Sequence, residues 1–535
     1  MSVTLLALVV PILILFVVWR WTNAKELNLP PGPPRSFIIG NAREFPRFSP
    51  FIQLTEWAIE YGDIYSLKLL NKTIIILSSG TTVKEVLDKN GMKTGGRPEA
   101  HIVRRVEGKI HPVFDNIDVP MWKASRKTFH AFLTSQALES YFPMQQEHYL
   151  QLLRDILTSP KNVVKHTKRL SVSIMVALVY GQRADDARVD LFYRGMKRLT
   201  QLADPFTNPP VDLFPILKYV PARWASWKPM SDETKAMRKA FHCDLVASRE
   251  EAYLAGERVG CYMERVLDRP LDDNLTREEI RVMCRVLVDG GIETQASYLQ
   301  TLVLSLACYP EYQRKAQAEM DLIVGDERFP TLEDFDDLPY VRAFTKEVQR
   351  FRPILPIVPA HVASQAVRYG DYVIPKDSII LMNTWGIYHD QELFEAPYTF
   401  NPERYLHSEF GVKDGANVNG LRENLPFGAG RRVCPGAEMA SRTIAMNAMN
   451  LIWAFNFAKD TSGTCNIDLE NYLPGLELAP KPFTCDITPR NARRAQMILK
   501  ATVAHVRLDS DAQPKRLVGI LVSYTLTLVV GQSRA

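Results

Sequence analysis

The chain has 535 residues, of which 46% are hydrophobic and 23% charged, with a net charge of +5. That is an ordinary globular mixture able to build a sizeable core. The mild basic excess is too weak to argue for nucleic-acid binding. Seven cysteines stand at positions 243, 261, 284, 308, 434, 465 and 485. The odd count, the wide spacing and the lack of any Cys-x-x-Cys disfavour a disulfide framework and fit a reducing compartment.

The first segment, Val3–Trp19, is uncharged over 17 residues. At 1.5 Å per residue it would span ~26 Å, close to the ~30 Å of a bilayer core. Trp19 and Trp21 sit where interfacial aromatics belong, and Arg20, Lys25 and Arg35 follow. The charge asymmetry predicts a single-pass anchor over residues 1–28 with the main body on the cytoplasmic side. A cleaved signal peptide fits less well, because no basic region precedes the run and no small-x-small site follows it. The prolines of Leu29–Arg35 make a stiff hinge with no helix through it.

"GDIYSLKLL" and "TIIILSS", Gly62–Leu70 and Thr73–Ser79, read as a β-hairpin. From about Met121 to Gly325 the apolar spacing is helical. The longest helix is expected from Thr276 to about Cys308, opened by Thr276 and Glu279 as a capping box. Asn71 and Asn274 stand in glycosylation sequons that would matter only on a luminal side, and both are read as structural. Further helices are expected from Pro310 to Gly325 and over Leu338–Phe351, the second closed by Pro353. Short strands are expected at Ala363–Tyr369, Tyr372–Ile374 and Ser378–Leu381. After an irregular stretch from about Asp390 to Gly430 comes a last strong helix, Ala437–Phe455. The fold class is mostly α with minor β, in one domain over residues 36–500. Residues 501–535 form a tail of uncertain structure. Its apolar run Leu517–Val530 is short for a span and reads as an interfacial segment, a late strand or a mistaken exon.

The chemistry concentrates in "FGAGRRVCPG", Phe427–Gly436. Glycine and positive charge around a lone cysteine suit a thiolate held against a flat anionic ligand. The loop resembles the haem-binding loop of the cytochrome P-450 family, Phe-x-x-Gly-x-Arg-x-Cys-x-Gly, through Phe427, Gly430, Arg432, Cys434 and Gly436. "EVQR" resembles the family's Glu-x-x-Arg through Glu347 and Arg350. "NPERY" resembles its Pro-Glu-Arg-Phe through Arg404. "GGIET" resembles its oxygen-activation motif through Glu293 and Thr294, and "WKASR" its Trp-x-x-x-Arg through Trp122 and Arg126. These motifs occur in the family's order. The chain is therefore identified as a member, over residues 1 to about 500, of the microsomal type and similar to fungal secondary-metabolism members of the O-methylsterigmatocystin oxidoreductase group.

The resemblance implies a triangular helical haem domain behind one transmembrane helix. It implies haem b as cofactor, with Cys434 as the metal ligand, a thiolate that favours O–O cleavage. Gly430 and Gly436 would let the backbone approach the ring and aim amides at sulfur, and Phe427 would shield it. Arg432, Arg126, Trp122 and His361 would face the two propionates, although His361 reads about as well as a satisfied loop histidine. Glu347, Arg350 and Arg404 would form a buried network bracing the loop, the plainer reading of the first two being a surface pair. Thr294 would steady a water at the oxygen-activation step and Glu293 would relay protons. The two glycines before them would leave room for the ring and dioxygen. Gln295 departs from the family's usual second hydroxyl.

The implied activity is monooxygenation, in the endoplasmic reticulum membrane with the catalytic domain cytoplasmic. Dioxygen is a partner, and electrons come from NADPH through a flavoprotein reductase. Lys123, Lys127, Arg314, Lys315 and Arg431 are candidates for the face that meets it. Pro205–Trp224 would form a lid facing the membrane and Pro353–Ala360 would line the distal side. Both are poor in charge, which points to a lipophilic small molecule and a tailoring hydroxylation, of a terpenoid ahead of a polyketide. A xenobiotic-oxidising member is the alternative. A non-catalytic haem-binding membrane protein is the alternative from another class, and Thr294 with Glu293 argues against it.

Overall fold

The computed structural model describes Leu13 and residues 28–36, 39–70, 72–203, 211–212, 214–268 and 275–510. The expected anchor, apart from Leu13 and Asn28, lies outside the described residues, as do Asn71, Asn274 and Leu517–Val530. Among the described residues no helix is long and apolar enough to cross a membrane.

Helices of twelve residues or more are numbered here. They are α1 (Pro50–Tyr61), α2 (Pro120–Phe132), α3 (Ser135–Thr158), α4 (Val163–Tyr180), α5 (Asp186–Ala203) and α6 (Trp227–Leu254). After these come α7 (Arg277–Cys308), α8 (Pro310–Ile323), α9 (Pro339–Phe351), α10 (Ala437–Ala454) and α11 (Ala492–Ser510). The strands are β1 (Ile64–Leu69), β2 (Lys72–Leu77), β3 (His361–Val362), β4 (Val367–Tyr369), β5 (Tyr372–Ile374), β6 (Ile379–Met382), β7 (Phe455–Ala458) and β8 (Asp486–Pro489).

The helical core is built on α4 and α7. Every residue from Leu170 to Tyr180 is buried, and so is every residue from Gln295 to Ala307. Helices apolar all round belong inside. Thr276 and Glu279 cap α7 reciprocally, the Thr276 amide donating to Glu279 Oε2 at 2.8 Å and the Glu279 amide to Thr276 Oγ1 at 3.3 Å. The axes of α4 and α7 come close at Gly291, where an added Cβ would lie 2.4 Å from Met175 Sδ.

The main sheet has the order β1-β2-β6-β3. The expected hairpin pairs antiparallel, Ile64 opposite Leu77, and β6 joins β2 in parallel. Of the expected strand over Ala363–Tyr369 only Val367–Tyr369 forms, as β4, and a separate short strand, β3, precedes it. β3 closes the main sheet, and β4 pairs with β5 in a separate hairpin. The proline hinge is pinned to β1, since the Ser66 amide donates to Pro31 O at 2.7 Å and Ser66 Oγ to Pro30 O at 2.5 Å. The helix ending at Ala454 is not the last. β7 and β8 pair antiparallel, and α11 then runs across residue 500 to Ser510.

Candidate active site around Cys434

Two 3₁₀ turns, Leu425–Phe427 and Gly430–Arg432, wind the chain towards Cys434. The Cys434 amide closes the loop by donating to Phe427 O at 2.8 Å. α10 starts at Ala437, so the thiol stands before a helix N-terminus, whose partial positive charge favours an anion. Cys434 is exposed, yet the protein crowds it enough that burial raises its pKa, against the lowering effects of the Gly436 N–H and the Arg126 charge. The Gly436 amide thus faces the sulfur, whereas the Gly430 amide is turned elsewhere. Gly430 has φ +59°, and a Cβ there would lie 2.2 Å from Leu87 O. Its amide donates to Asp88 Oδ1 at 2.8 Å. This glycine locks the loop onto the Lys84–Asp88 turn, because only a residue without a side chain fits that approach.

Four basic groups converge beside the loop. Arg126 Nη1 donates to Val433 O at 2.7 Å. Arg432 Nε donates to Gly95 O at 2.8 Å and Nη2 to Asp115 O, and its guanidinium lies 5.1 Å from the Trp122 ring centroid. Arg97 Nη1 donates to Pro359 O at 2.5 Å and Ala360 O at 2.6 Å. His361, 2% exposed, has Nδ1 3.0 Å from Thr94 O, while its buried Nε2 has no partner among the described residues. Arg97, Arg126 and Arg432 hold backbone carbonyls, and the nearby Asp115 is already paired with Arg104 at 2.9 Å. Burial, with Arg97 and Arg126 adding to it, pushes Arg432 down to about 9. Burial pushes Arg97 down to about 10 and His361 to about 3, the latter helped by Arg97 and Arg432. Crowded cations with no acid of their own, and an unpartnered imidazole nitrogen, suit an anionic ligand with two carboxylates.

Glu347 and Arg350, both 0% exposed, form a bidentate pair at 2.7 and 2.8 Å. Arg404 Nε lies 3.3 Å from Glu347 Oε2, and the Asn401 amide donates to Oε1 at 2.8 Å. Arg350 Nη1 donates to Tyr388 O and Pro397 O, both at 2.8 Å. α9 and the Asn401–Arg404 stretch therefore meet on one buried carboxylate, and Arg350 ties Tyr388 and Pro397 to it.

On α7, Thr294 Oγ1 donates to Gly290 O at 3.1 Å, a back-bond that loosens the helix ladder at this turn. Around Gly290 an added Cβ would meet nothing within 4 Å. Gly291 instead packs on Met175, so only one of the two glycines opens space. Burial pushes Glu293 up to about 7, assisted by Asp289 and opposed by Arg238 and Lys168.

The family model described as "Cytochrome P450" matches residues 30–486. This chain belongs to the cytochrome P450 family. The cytochrome P450 monooxygenase ple5B of Rhodocybe pseudopiperita is 38% identical over 90% of this chain and 94% of its own. The cytochrome P450 monooxygenase yanC of Aspergillus niger is 31% identical over 90% and 92%. A solved zebrafish cytochrome P450 with abiraterone shares the fold, with TM-score 0.67 and 24% identity over 83% of this chain and all of that one.

A cytochrome P450 carries haem, and the residues fit it. Cys434 offers the thiol, and Arg97, Arg126, Arg432 and His361 offer charge and donors for the propionates. Arg97 escaped the sequence reading. Its one local signal is the Gly95-Gly96 pair before it, which lets the chain hydrogen-bond edge-on to Val362, at 3.1 and 3.0 Å. Lys123, Lys127, Arg314, Lys315 and Arg431 are all exposed, with Lys315 engaged by Glu403.

Proposed function

We propose that this cytochrome P450 is a membrane-held monooxygenase that hydroxylates a lipophilic small molecule, as a tailoring step in fungal secondary metabolism, a terpenoid ahead of a polyketide. The observation that carries this is the accessible Cys434 thiol beside cations that have no acid of their own. Haem bound there supplies the reductive splitting of dioxygen and the transfer of one oxygen atom. Cys434 ligates it, and the Gly436 amide tempers the thiolate's donation. Thr294 and Glu293 hold and pass protons on the α7 side.

A location on the endoplasmic reticulum, with the body cytoplasmic and electrons arriving from an NADPH-dependent reductase, accords with the uncharged Val3–Trp19 run and the exposed basic residues. The exposed Phe214, Ile216, Tyr219 and Trp224 form an apolar surface suited to a bilayer and to entry of a lipophilic substrate. The reduced carbon-monoxide complex is expected to absorb at about 450 nm because of thiolate ligation, and Cys434→Ala to lose that band. A Cys434→Ala protein that keeps it overturns the ligand assignment. Co-expression with a reductase, followed by mass spectrometry of lipid extracts for a gain of one oxygen, identifies the substrate.

A further inference from the structure

Arg238 of α6 joins three other elements of the fold. Its Nε lies 2.8 Å from Glu107 Oε1, at the end of the short helix His101–Glu107. Its Nη2 donates to Asp289 Oδ2 on α7, and its Nη1 to Met196 Sδ on α5 at 3.0 Å. Gly195 makes room for the stem, since a Cβ there would lie 3.2 Å from Arg238 Cδ. α7 reaches Glu107 a second time, one turn before Asp289. Arg285 Nη2 donates to Glu107 O at 2.5 Å, and Arg285 Nε lies 3.3 Å from Glu107 Oε2. The side chains of Arg238 and Glu107 are only 3% and 2% exposed, so this junction is interior.

Asp289 carries the last side chain of α7 before Gly290 and Gly291. Two adjacent glycines weaken a helix interior by about 1 kcal/mol each relative to alanine. The bond from Thr294 Oγ1 to Gly290 O, at 3.1 Å, loosens the same turn further. A turn so weakened keeps one geometry only if something outside the helix braces it. Gly291 is braced by Met175, whereas a Cβ on Gly290 would meet nothing within 4 Å. The Gly290 carbonyl therefore takes its place from Asp289. We infer that Arg238 is a positioning residue for oxygen activation. Through Asp289 it fixes the Gly290 carbonyl, and with it the hydroxyl of Thr294. The inference rests on the monooxygenase reading, because Thr294 has that role only there.

The charges suit this role. Burial would raise Asp289, but Arg238, and after it His242 and Arg285, hold it well below the usual carboxylate range. Asp289 therefore stays ionised and stays bound to Arg238. Its second oxygen lies 3.5 Å from His242 Nε2, and His242 Nδ1 is 3.2 Å from the Tyr180 hydroxyl of α4. Desolvation offsets most of what a buried ion pair adds to stability, so the geometry that it imposes is the larger effect. A guanidinium holds two carboxylates at fixed angles through its planar fork, which an ammonium cannot do.

Two measurements on the full-length, haem-loaded protein test this. Arg238→Ala would strand two buried carboxylates and threaten the fold, so the variants are Asp289→Asn and Arg238→Lys. The first keeps the shape and loses the charge. The second keeps the charge, loses the fork and leaves the Asp289 carboxyl in place. Infrared spectra of the reduced carbon-monoxide complex read the polarity beside the bound gas. Both variants should move the C–O stretch in the direction in which Thr294→Ala moves it, with the thiolate band intact. The second measurement uses a flavoprotein reductase, NADPH and dioxygen with no added organic substrate. Both variants should lower the ratio of water to hydrogen peroxide formed by ~10-fold, since a misplacement of about 1 Å costs up to ~10²-fold. Asp232→Asn cuts the exposed tie between α6 and Arg105 of the same short helix and should change neither readout. A change in only one of the two variants, or the same change in Asp232→Asn, overturns the inference, because a lost carboxylate or a loosened short helix would then account for it. If neither variant changes either readout, the inference is overturned and the monooxygenase reading stands as long as wild type reduces oxygen. If wild type with reductase reduces no oxygen at all, both fall.

Discussion

Glu347 and Glu293 are acids on helices of the same domain, and the fold treats them oppositely. Glu347 is wholly enclosed, and Arg350, Arg404 and the Asn401 amide satisfy its charge. Glu293 is half-buried, and the cation that acts on it most, Arg238, is bound to Glu107 and Asp289. Burial that Arg238 and Lys168 offset only in part raises it to about 7. A buried charge met by arginines is rigid and serves position, as on the cysteine side. A buried acid left without donors is a proton reserve, as on the α7 side. This division assigns structure to one region and chemistry to the other.

The largest effect is expected where the compensation is complete. Arg350→Met leaves Glu347 buried with its bidentate partner gone. Stranding a buried ion costs about 3–5 kcal/mol, much of the ~5–15 kcal/mol that holds a domain together. The expected result is loss of soluble, haem-loaded protein, with Arg350→Lys a partial rescue because an ammonium cannot reproduce the fork. An Arg350→Met protein that melts like wild type would break the comparison at its structural end.

Gly430→Ala comes next. Its backbone sits at φ +59°, and the new methyl would strike Leu87 O. The left-handed conformation alone costs about 1–2 kcal/mol, and the clash adds to that. Haem uptake should fall and the thiolate band should weaken, because the loop can no longer sit on the Lys84–Asp88 turn. Gly436→Ala should be milder, since its Cβ would meet only Cys434 Sγ, at 3.8 Å.

How much of this was legible depended on whether a residue's role is local. The capping box at Thr276, the β1–β2 hairpin and the proline-opened α8 and α9 are local patterns and stand where the sequence put them. The cysteine loop was legible as a motif, yet the work of Gly430 was not, because it depends on contact with Leu87, more than three hundred residues upstream. The same holds for Arg97, which reaches the site by hydrogen bonds to Pro359 and Ala360. β7, β8 and α11 were missed because their partners lie far away in sequence, α11 packing against α3. Gly291 was misread for a related reason, since its neighbour is Met175 on α4.

Another variant tests the chemical end. Thr294→Ala removes a hydroxyl whose only described bond is to Gly290 O, so the fold and the carbon-monoxide band should be unchanged. Coupling should suffer instead. NADPH consumption continues while peroxide replaces oxygenated product, and loss of a positioned proton donor lowers the productive step ~10²-fold or more. Failure to bind haem, or unchanged coupling, would place Thr294 in the structural region.

The smallest effect is the most discriminating, because it reads the Glu293 proton without any substrate. In the unfolded chain this carboxyl titrates near its ordinary 4.5, and in the folded protein near about 7. Below pH 4.5 both states are protonated. Between 4.5 and 7 the folded state keeps a proton that the unfolded state has lost, so stability falls as pH rises through this window and then levels off. The full shift corresponds to about 3 kcal/mol at 1.4 kcal/mol per pH unit, and partial solvent access reduces it. Glu293→Gln has no proton to lose. Its stability relative to wild type should therefore improve from pH 5 to about pH 7 and then level off, as read from denaturant midpoints at fixed ionic strength. Glu347→Gln, in contrast, should be destabilised at both ends, because it strands Arg350 whatever the pH. Parallel curves for wild type and Glu293→Gln would mean that Glu293 is compensated after all, and the contrast between the two acids would collapse.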